Sequence, residues 1–230
     1  MTEMKVIARI RTDLPEKFGV PRQSGLVDGL LGRIVFEPEY RNPDALRGLE
    51  GFSHIWLIWQ FDRALREEWS PTVRPPRLGG NTRMGVFATR SPFRPNAIGL
   101  SSVKLQEILQ DPQLGPVLVV SGADLVDGTP IFDIKPYLPY ADSHPEATGG
   151  FTDPLERTAL QVAFPQPLLE QIPPEQREGL LGVLALDPRP RYQEDPQRVY
   201  GLAFGAHNIR FTVSADQLTV VAVEPREESL

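Results

Sequence analysis

Apolar and polar residues alternate in short runs over the first part of the chain: "MKVIARIRT", "GRIVFE", "SHIWLIWQF", "MGVFAT", "GLSSVKLQEIL", "PVLVVSG" and "PIFDIKPYLPY". Each run is rich in Val, Ile or aromatic residues and is bounded by Pro, Gly, Asn or Asp, the pattern of half-buried strands separated by turns. So many short strands predict a mainly β fold, with an N-terminal β-barrel over residues 1–141. One helical interruption is expected in "RNPDALRGLEG", where Asn42 caps, Pro43 takes the first helical position, Asp44 lies in the first turn and Gly51 ends it. After Tyr140 the pattern changes. "ADSHPEATGGFTDP" reads as a linker, and residues 142–230 read as a small α+β domain. Its helix is expected in "PPEQREGLLGVLALD", opened by Pro173 and Pro174 and stopped by Asp187-Pro188, and its strands in "TALQVAF", "NIRFTVS" and "LTVVAVE". The chain carries no internal repeat.

Composition narrows the class without naming a function. With 40% hydrophobic and 23% charged residues in 230, the chain has an ordinary globular make-up. Its longest apolar runs, "IWLIWQF" and "GLLGVLAL", fall short of the roughly 20 residues that cross a bilayer. "MTEMKVIARI" has no apolar signal core, and the absence of cysteine removes disulfides, so a cytoplasmic protein held by its core is expected. His54, His144 and His207 are scattered and make no zinc spacing, so no metal is expected. Charge is more telling. The net charge is −6, yet from Trp69 to Gln106 there are six basic residues (Arg74, Arg77, Arg83, Arg90, Arg94, Lys104) and no Asp or Glu. An acidic protein with one basic island focuses an anionic partner there. The C-terminal part, with 7 basic and 12 acidic residues from Gly150 onward, is a weaker match for such a partner.

Two stretches inside the island have the stiffness of a site. In "TVRPPRLGGNTRMG", prolines restrict the chain while Gly79 and Gly80 permit close backbone approach, so Arg74, Arg77 and Arg83 sit on a preorganised loop. Guanidinium groups suit phosphate oxygens, because they keep their charge and donate in a fixed fork. The alternative is that they bond carbonyls of their own loop. In "TRSPFRPNAIGLS", Ser91-Pro92 and Arg94-Pro95 push the preceding residues toward extended geometry, so that Arg90, Phe93 or Arg94, and Asn96 line one cleft. A third dense stretch is "GADLVDGTPIFDIKPYLPY". Asp124 and Asp127 flank a turn there, and Asp133, Lys135 and Tyr137 share one strand face as either a structural ladder or a site. In "FSHIWLIWQFDR" a core strand is expected, with His54 a core histidine and Asp62 and Arg63 at its exit.

The blocks "PRQSGL", "RGLEGFSHIWLIWQF", "PTVRPPRLGGNTRMGVFATRSPFRPNAIGLS" and "DLVDGTPIFDIKPYLPYADS", followed by "DPRPRY", resemble the TsaA/YaeB-type family over nearly the whole chain and in order. That resemblance implies tRNA methyltransferases of the TrmO type, which use S-adenosylmethionine to methylate N6 of the threonylcarbamoyl-modified adenosine next to the anticodon. It also implies a β-barrel in place of the Rossmann sheet and a homodimer with the cofactor near the subunit interface. No glycine fingerprint follows a strand and opens a helix here, since "GLLG" and "RLGGN" lack that context.

By the same resemblance Pro21, Arg22, Gln23, Asp62, Arg63, Arg90, Leu100 and the turn Leu125, Val126, Asp127, Gly128, Thr129 belong to the cofactor pocket. Some family members carry a His-containing pair where this chain has Asp62-Arg63. Arg74, Arg77, Arg83 and Arg94 are expected at the tRNA anticodon loop, together with Arg189 and Arg191 of "DPRPRY". The attacking amine is a poor nucleophile whose proton must be accepted as the bond forms. Asp127, Asp133, Tyr137, a neutral Lys135 and the modified base's own polar arm are candidates for that task. Asn96 and Asp127 are expected to orient the amine and Lys135 to hold an anionic group, since the modified nucleoside bears a carboxylate. Two other readings stay open, a barrel that binds RNA without catalysis and a methyltransferase of this fold with another acceptor.

Overall fold

The computed structural model describes residues 3–65, 68–75, 82–153, 159–189 and 195–226. The first part holds β1 (Ala8–Thr12), β2 (Leu31–Phe36), β3 (His54–Gln60), the two-residue pair β4 (Thr72–Val73) and β5 (Met84–Gly85), β6 (Ile98–Asp111), β7 (Gly115–Ser121) and β8 (Pro130–Pro136). Six of these strands close into a barrel in the order β1-β2-β7-β6-β3-β8, every neighbour antiparallel. The alternation in the sequence decides which side chains fill it. Ile10, Ile34, Ile55, Leu57, Leu118 and Val120 are fully buried in its interior, while Arg9, Arg11, Arg33 and His54 at alternate positions are exposed.

The pairing register fixes where the loops go. Thr12 opposes Gly32, Leu31 opposes Ser121 and Gln60 opposes Ile98, so the β1–β2, β3–β6 and β7–β8 connections all emerge at one end of the barrel. These are residues 13–30, 61–97 and 122–129. Arg74, Arg83, Arg90 and Arg94 of the basic island and almost every expected cofactor residue lie on them, while Lys104 lies on β6.

After α1 (Pro139–Asp142), a single turn, come β9 (Gln161–Ala163), α2 (Gln166–Leu169), α3 (Pro174–Ala185), β10 (Tyr200–Phe204), β11 (His207–Ser214) and β12 (Gln217–Pro225). The four strands form one sheet, β10-β11-β12-β9, in which β9 runs parallel to β12. Leu180, Val183 and Leu184 of α3 pack on Leu202, Phe204, Ile209 and Phe211 to make a second core. Leu14, Val27 and Leu30 of the β1–β2 connection are buried in it too. A side-chain carbon on Gly179 would meet the Gly29 carbonyl at 2.8 Å, and one on Gly182 would collide with Val27. The "GLLG" run is therefore a packing surface that lets the connection lie against the helix. Gln176 Nε2 donates to Asp13 Oδ1 at 2.8 Å and the Gly205 amide to the Asp13 carbonyl at 2.7 Å, which ties the start of that connection to the same unit. Burial pushes the Asp13 carboxyl above its usual range.

Several local expectations change. "RNPDALRGLEG" forms two 3-10 turns, Pro43–Leu46 and Leu49–Gly51, because Gly48 between them takes a left-handed φ of 88° that no helix continues through. Asn42 caps the first turn by accepting from the Asp44 amide at 3.0 Å. "MGVFAT" contributes only Met84–Gly85 as strand and then turns at Val86–Ala88, so it is no barrel strand. His54 is exposed and bonded to the Ser53 hydroxyl at 2.9 Å, because it falls on the outward phase of β3. Among the described residues no helix is long and apolar enough to cross a membrane.

Candidate active site

A cleft of about 730 Å³ opens at the loop-bearing end of the barrel. Its apolar wall is Trp59, Phe61, Ile98 and Leu100, where β3 ends and β6 begins, with the Trp59 and Phe61 ring centroids 4.3 Å apart. Gly99 makes this wall possible, since any side-chain carbon there would run into the Trp59 indole. The polar wall comes from the loops: Arg22 and Gln23 from one, Arg90, Arg94 and Asn96 from another, Asp124 from the third. Three stretches far apart in sequence thus meet because the barrel register delivers their loops to one place. Among the expected cofactor residues, Pro21, Arg22, Gln23, Arg90 and Leu100 line this cleft, as do Asn96 and Arg94. Arg90 donates to the Gln23 side-chain carbonyl across it, and Arg94 donates to the Thr89 carbonyl at 3.1 Å, which stiffens the loop that carries both. Leu100 is 56% exposed, a large apolar side chain facing the opening.

Asp124 is the feature that sequence reasoning passed over as a turn residue. The Trp59 Nε1–H donates to Ser101 Oγ at 2.9 Å, and the Ser101 hydroxyl donates to Asp124 Oδ1 at 2.6 Å. Burial raises the Asp124 carboxyl above its usual range, against the opposing pull of the Ser101 hydrogen bond and, more weakly, of Arg90. No signal in the sequence joins positions 59, 101 and 124, because the link runs through strand register.

The turn Leu125–Thr129 lies beside the cleft, not among its lining residues, and is tied to the barrel. Asp127 Oδ1 accepts from the Thr12 amide at 3.0 Å and Oδ2 sits 3.5 Å from Arg11. Gly128, at φ 81°, makes the turn and donates its amide to the Ile10 carbonyl at 2.8 Å. Thr12 bonds the Leu125 carbonyl and Thr129 the Val126 carbonyl. Arg63 reaches the Asp127 carbonyl at 2.7 Å and Lys17 bonds the Arg63 carbonyl, while Asp62 stays exposed on the same 3-10 turn. Arg63 and Asp127 therefore brace the loops behind the cleft, and Asp62 makes no contact there among the described residues.

Asp133 and Lys135 project from the outer barrel face as a 2.9 Å ion pair, both about half exposed. Register places them in rows with Ile58 and Leu100 and with Trp56 and Ser102, so Asp133 lies two strands, about 10 Å, from the cleft's Leu100. Tyr137 packs against Trp56 with centroids 5.6 Å apart. Trp56 in turn donates to Asp142 Oδ2 at 2.9 Å, and the Leu138 amide donates to the same oxygen, which holds the Asp142 carboxyl below its usual range.

The cationic surface is only partly uncommitted. Arg74 is exposed, Arg83 donates to Thr72 Oγ1 at 3.0 Å, and near them the exposed rings of Trp69 and Phe87 stack at 6.1 Å and 25°. Phe87 also reaches the cleft. Arg189 is clasped by Asp187 at 2.8 and 3.0 Å, with its side chain only 14% exposed, so its charge is turned inward. Arg77 and Arg191 lie outside the described residues.

Comparison with known proteins places this architecture. The chain is 43% identical to the Escherichia coli K12 tRNA (adenine(37)-N6)-methyltransferase over 97% of its own length and 98% of the relative's. It is 46% identical to the Eikenella corrodens protein of the same name over 75% of this chain and 97% of that one. A Pseudomonas aeruginosa relative, 42% identical over 85% and 86% of the two chains, is provisionally named an S-adenosylmethionine-dependent methyltransferase, RcsF. The crystal structure of TrmO from Pseudomonas aeruginosa superposes with a TM-score of 0.78 at 32% identity, covering 97% of this chain and 98% of that one. Residues 9–143 match the tRNA-methyltransferase O N-terminal domain and residues 157–226 the TrmO C-terminal domain, and the chain belongs to the tRNA-methyltransferase O family.

Proposed function

We propose that this protein is a tRNA (adenine-N6)-methyltransferase that uses S-adenosylmethionine and acts on the adenosine at position 37, next to the anticodon. The observation that carries the reading is the cleft itself: a half-apolar, arginine-lined space at the loop-bearing end of a barrel that shares its whole length with relatives of that name. Its donor set suits the cofactor. Guanidinium groups at Arg22 and Arg90 match an amino-acid carboxylate, and the Trp59, Phe61 and Leu100 wall suits an adenine ring. When bound there, the cofactor supplies an electrophilic methyl group.

The chain's own work is then alignment. Most of the rate of an in-line displacement comes from holding nucleophile and acceptor carbon in register. Asn96, on the loop stiffened by Pro92 and Pro95, orients the adenine amine with its amide. The Leu125–Thr129 turn, braced by Asp127 and Arg63, keeps the loops from yielding. The acceptor is the threonylcarbamoyl-modified adenosine, whose carboxylate is held by Lys135 beside Tyr137 on the outer face. Arg74, Arg83 and Arg94 take backbone phosphates, and the exposed Phe87 ring at the cleft offers a surface on which an anticodon-loop base stacks. The protein acts in the cytoplasm as a homodimer, with residues 1–141 as the catalytic domain and residues 142–230 as its support.

Calorimetric titration with S-adenosylmethionine, followed by methylation assays on tRNA with and without the threonylcarbamoyl group, tests this. Saturable binding that weakens in Arg90→Ala, with turnover only on modified tRNA, is the expected result. A folded protein that binds tRNA and no S-adenosylmethionine would be a bare RNA-binding barrel.

A further inference from the structure

We propose that Asp124 is the proton acceptor of the methyl transfer and that Trp59 and Ser101 are its positioning residues; the inference rests on the methyltransferase reading of the cleft. Asp124 is the only carboxylate among the described residues that line the cleft, and the other charged side chains there are Arg22, Arg90 and Arg94. A base must face the reacting amine before its basicity matters. Asp127, three residues along, has both carboxylate oxygens engaged by the Thr12 amide and Arg11.

The direction of the hydrogen bonds is imposed by chemistry. An indole N–H only donates, so Trp59 takes a lone pair of Ser101 Oγ, and the one hydroxyl proton of Ser101 points at Asp124 Oδ1. The Ser101 hydroxyl thereby orients the carboxylate at Oδ1, and the carboxylate takes the incoming proton. As the amine nitrogen bonds to the methyl carbon and the carbon–sulfur bond breaks with its electron pair left on sulfur, the nitrogen's proton passes to Asp124, and then to water. No oxidant or further reactant is needed. Asp124's surroundings suit the task. Burial makes its carboxylate a stronger base than an exposed aspartate, and the Ser101 hydroxyl and, more weakly, the Arg90 charge pull the other way. Of the groups facing it, Trp59 on β3 and Ser101 on β6 are neutral, and Arg90 on the β3–β6 connection is cationic. The backbone amides of Asp124 itself and, on the β1–β2 connection, of Ser24 also favour its anion, and Arg22 and Gln23 line the cleft beside it.

The test uses the full chain in three forms: wild type, Asp124→Asn and Ser101→Ala. D124N is expected to bind S-adenosylmethionine within about threefold of wild type by calorimetry while turnover on tRNA falls roughly 10²–10⁴-fold, and the acid limb of the pH–rate profile disappears. S101A is expected to lower turnover and to shift that limb to higher pH, because the anion loses the hydrogen bond that orients it. Carboxyl NMR titration of the protein without ligands reads the same property apart from turnover: the resonance absent in D124N titrates above an exposed aspartate in wild type and higher still in S101A. Wild-type turnover in D124N, or a limb and a resonance that S101A leaves unmoved, overturns the proposal. If D124N does not fold, the position of the acid limb in S101A against wild type decides it. Wild-type protein that binds no S-adenosylmethionine defeats the methyltransferase reading instead, an outcome distinct from normal binding and turnover with Asp124 indifferent.

Discussion

The cleft and the second core are built from opposite materials, though one segment of the chain serves both. Residues 13–30 bury Leu14, Val27 and Leu30 among Leu202, Phe204 and Phe211, yet the same segment presents Pro21, Arg22 and Gln23 to the cleft. The core end is apolar and close-packed, with two glycines that bring backbone against helix. The cleft end gathers three guanidinium groups, an exposed Leu100 and a carboxylate held at some cost in free energy. The contrast shows where each property is stored: rigidity comes from the far end of the segment, so the near end is free to carry groups that stabilise nothing by themselves.

This division can be broken. The largest effect is expected for Phe211→Ala, which empties a fully buried site in the second core and should cost about 3–5 kcal/mol, read as a lower Tm by calorimetry. S-adenosylmethionine affinity of the fraction that remains folded should be little changed, and a proportionate loss of affinity would erase the distinction between the regions. Gly179→Val is expected to cost about 1–3 kcal/mol, because the new side chain meets the Gly29 carbonyl. Here affinity should weaken as well, since the helix would push on the segment that bears Arg22 and Gln23.

Asp124→Asn sharpens the cleft side. The Asp124 pKa is raised in the folded protein, so the folded state binds this proton more readily than the unfolded chain does. The group's contribution to stability is therefore fully present below the unfolded aspartate pKa and is lost as pH rises through the folded value. The variant should melt above wild type at neutral pH, and the difference should vanish on acidification below the ordinary aspartate range. A variant less stable than wild type at neutral pH would make Asp124 a structural residue. The smallest effect is expected for Arg83→Ala, which should flatten the salt dependence of tRNA binding by about 0.7–0.9 in slope and leave stability unchanged. An unchanged slope would return Arg83 to its Thr72 contact as a loop brace.

How much of this was legible in the sequence depended on whether a property is local. Strand alternation in "SHIWLIWQF" and "PVLVVSG" marked the barrel, and Pro173-Pro174 with Asp187-Pro188 bracketed α3 closely, because those signals lie within one element. The island of unpaired charge marked the cleft-bearing connection for the same reason. Gly48 hid its effect, since a glycine inside "RNPDALRGLEG" reads as a tolerated helical residue until its positive φ splits the turns. The Tyr200–Phe204 strand went unread in "VYGLAF", whose two small residues interrupt the apolar pattern. The Trp59–Ser101–Asp124 chain was beyond reach, since it depends on Trp59 opposing Gly99 across β3 and β6 and on where β7 ends.

The passage of residues 13–30 into the second core also sets an order of assembly. Leu14 packs in the same core as Leu202 and Leu218, partners about two hundred positions downstream, so this part of the fold has a high contact order. During synthesis the barrel strands are complete by Pro136, while the core that anchors one wall of the cleft must await β10, β11 and β12. The nascent chain can thus close its barrel early, but it becomes competent to hold its ligand only when its last strand has emerged.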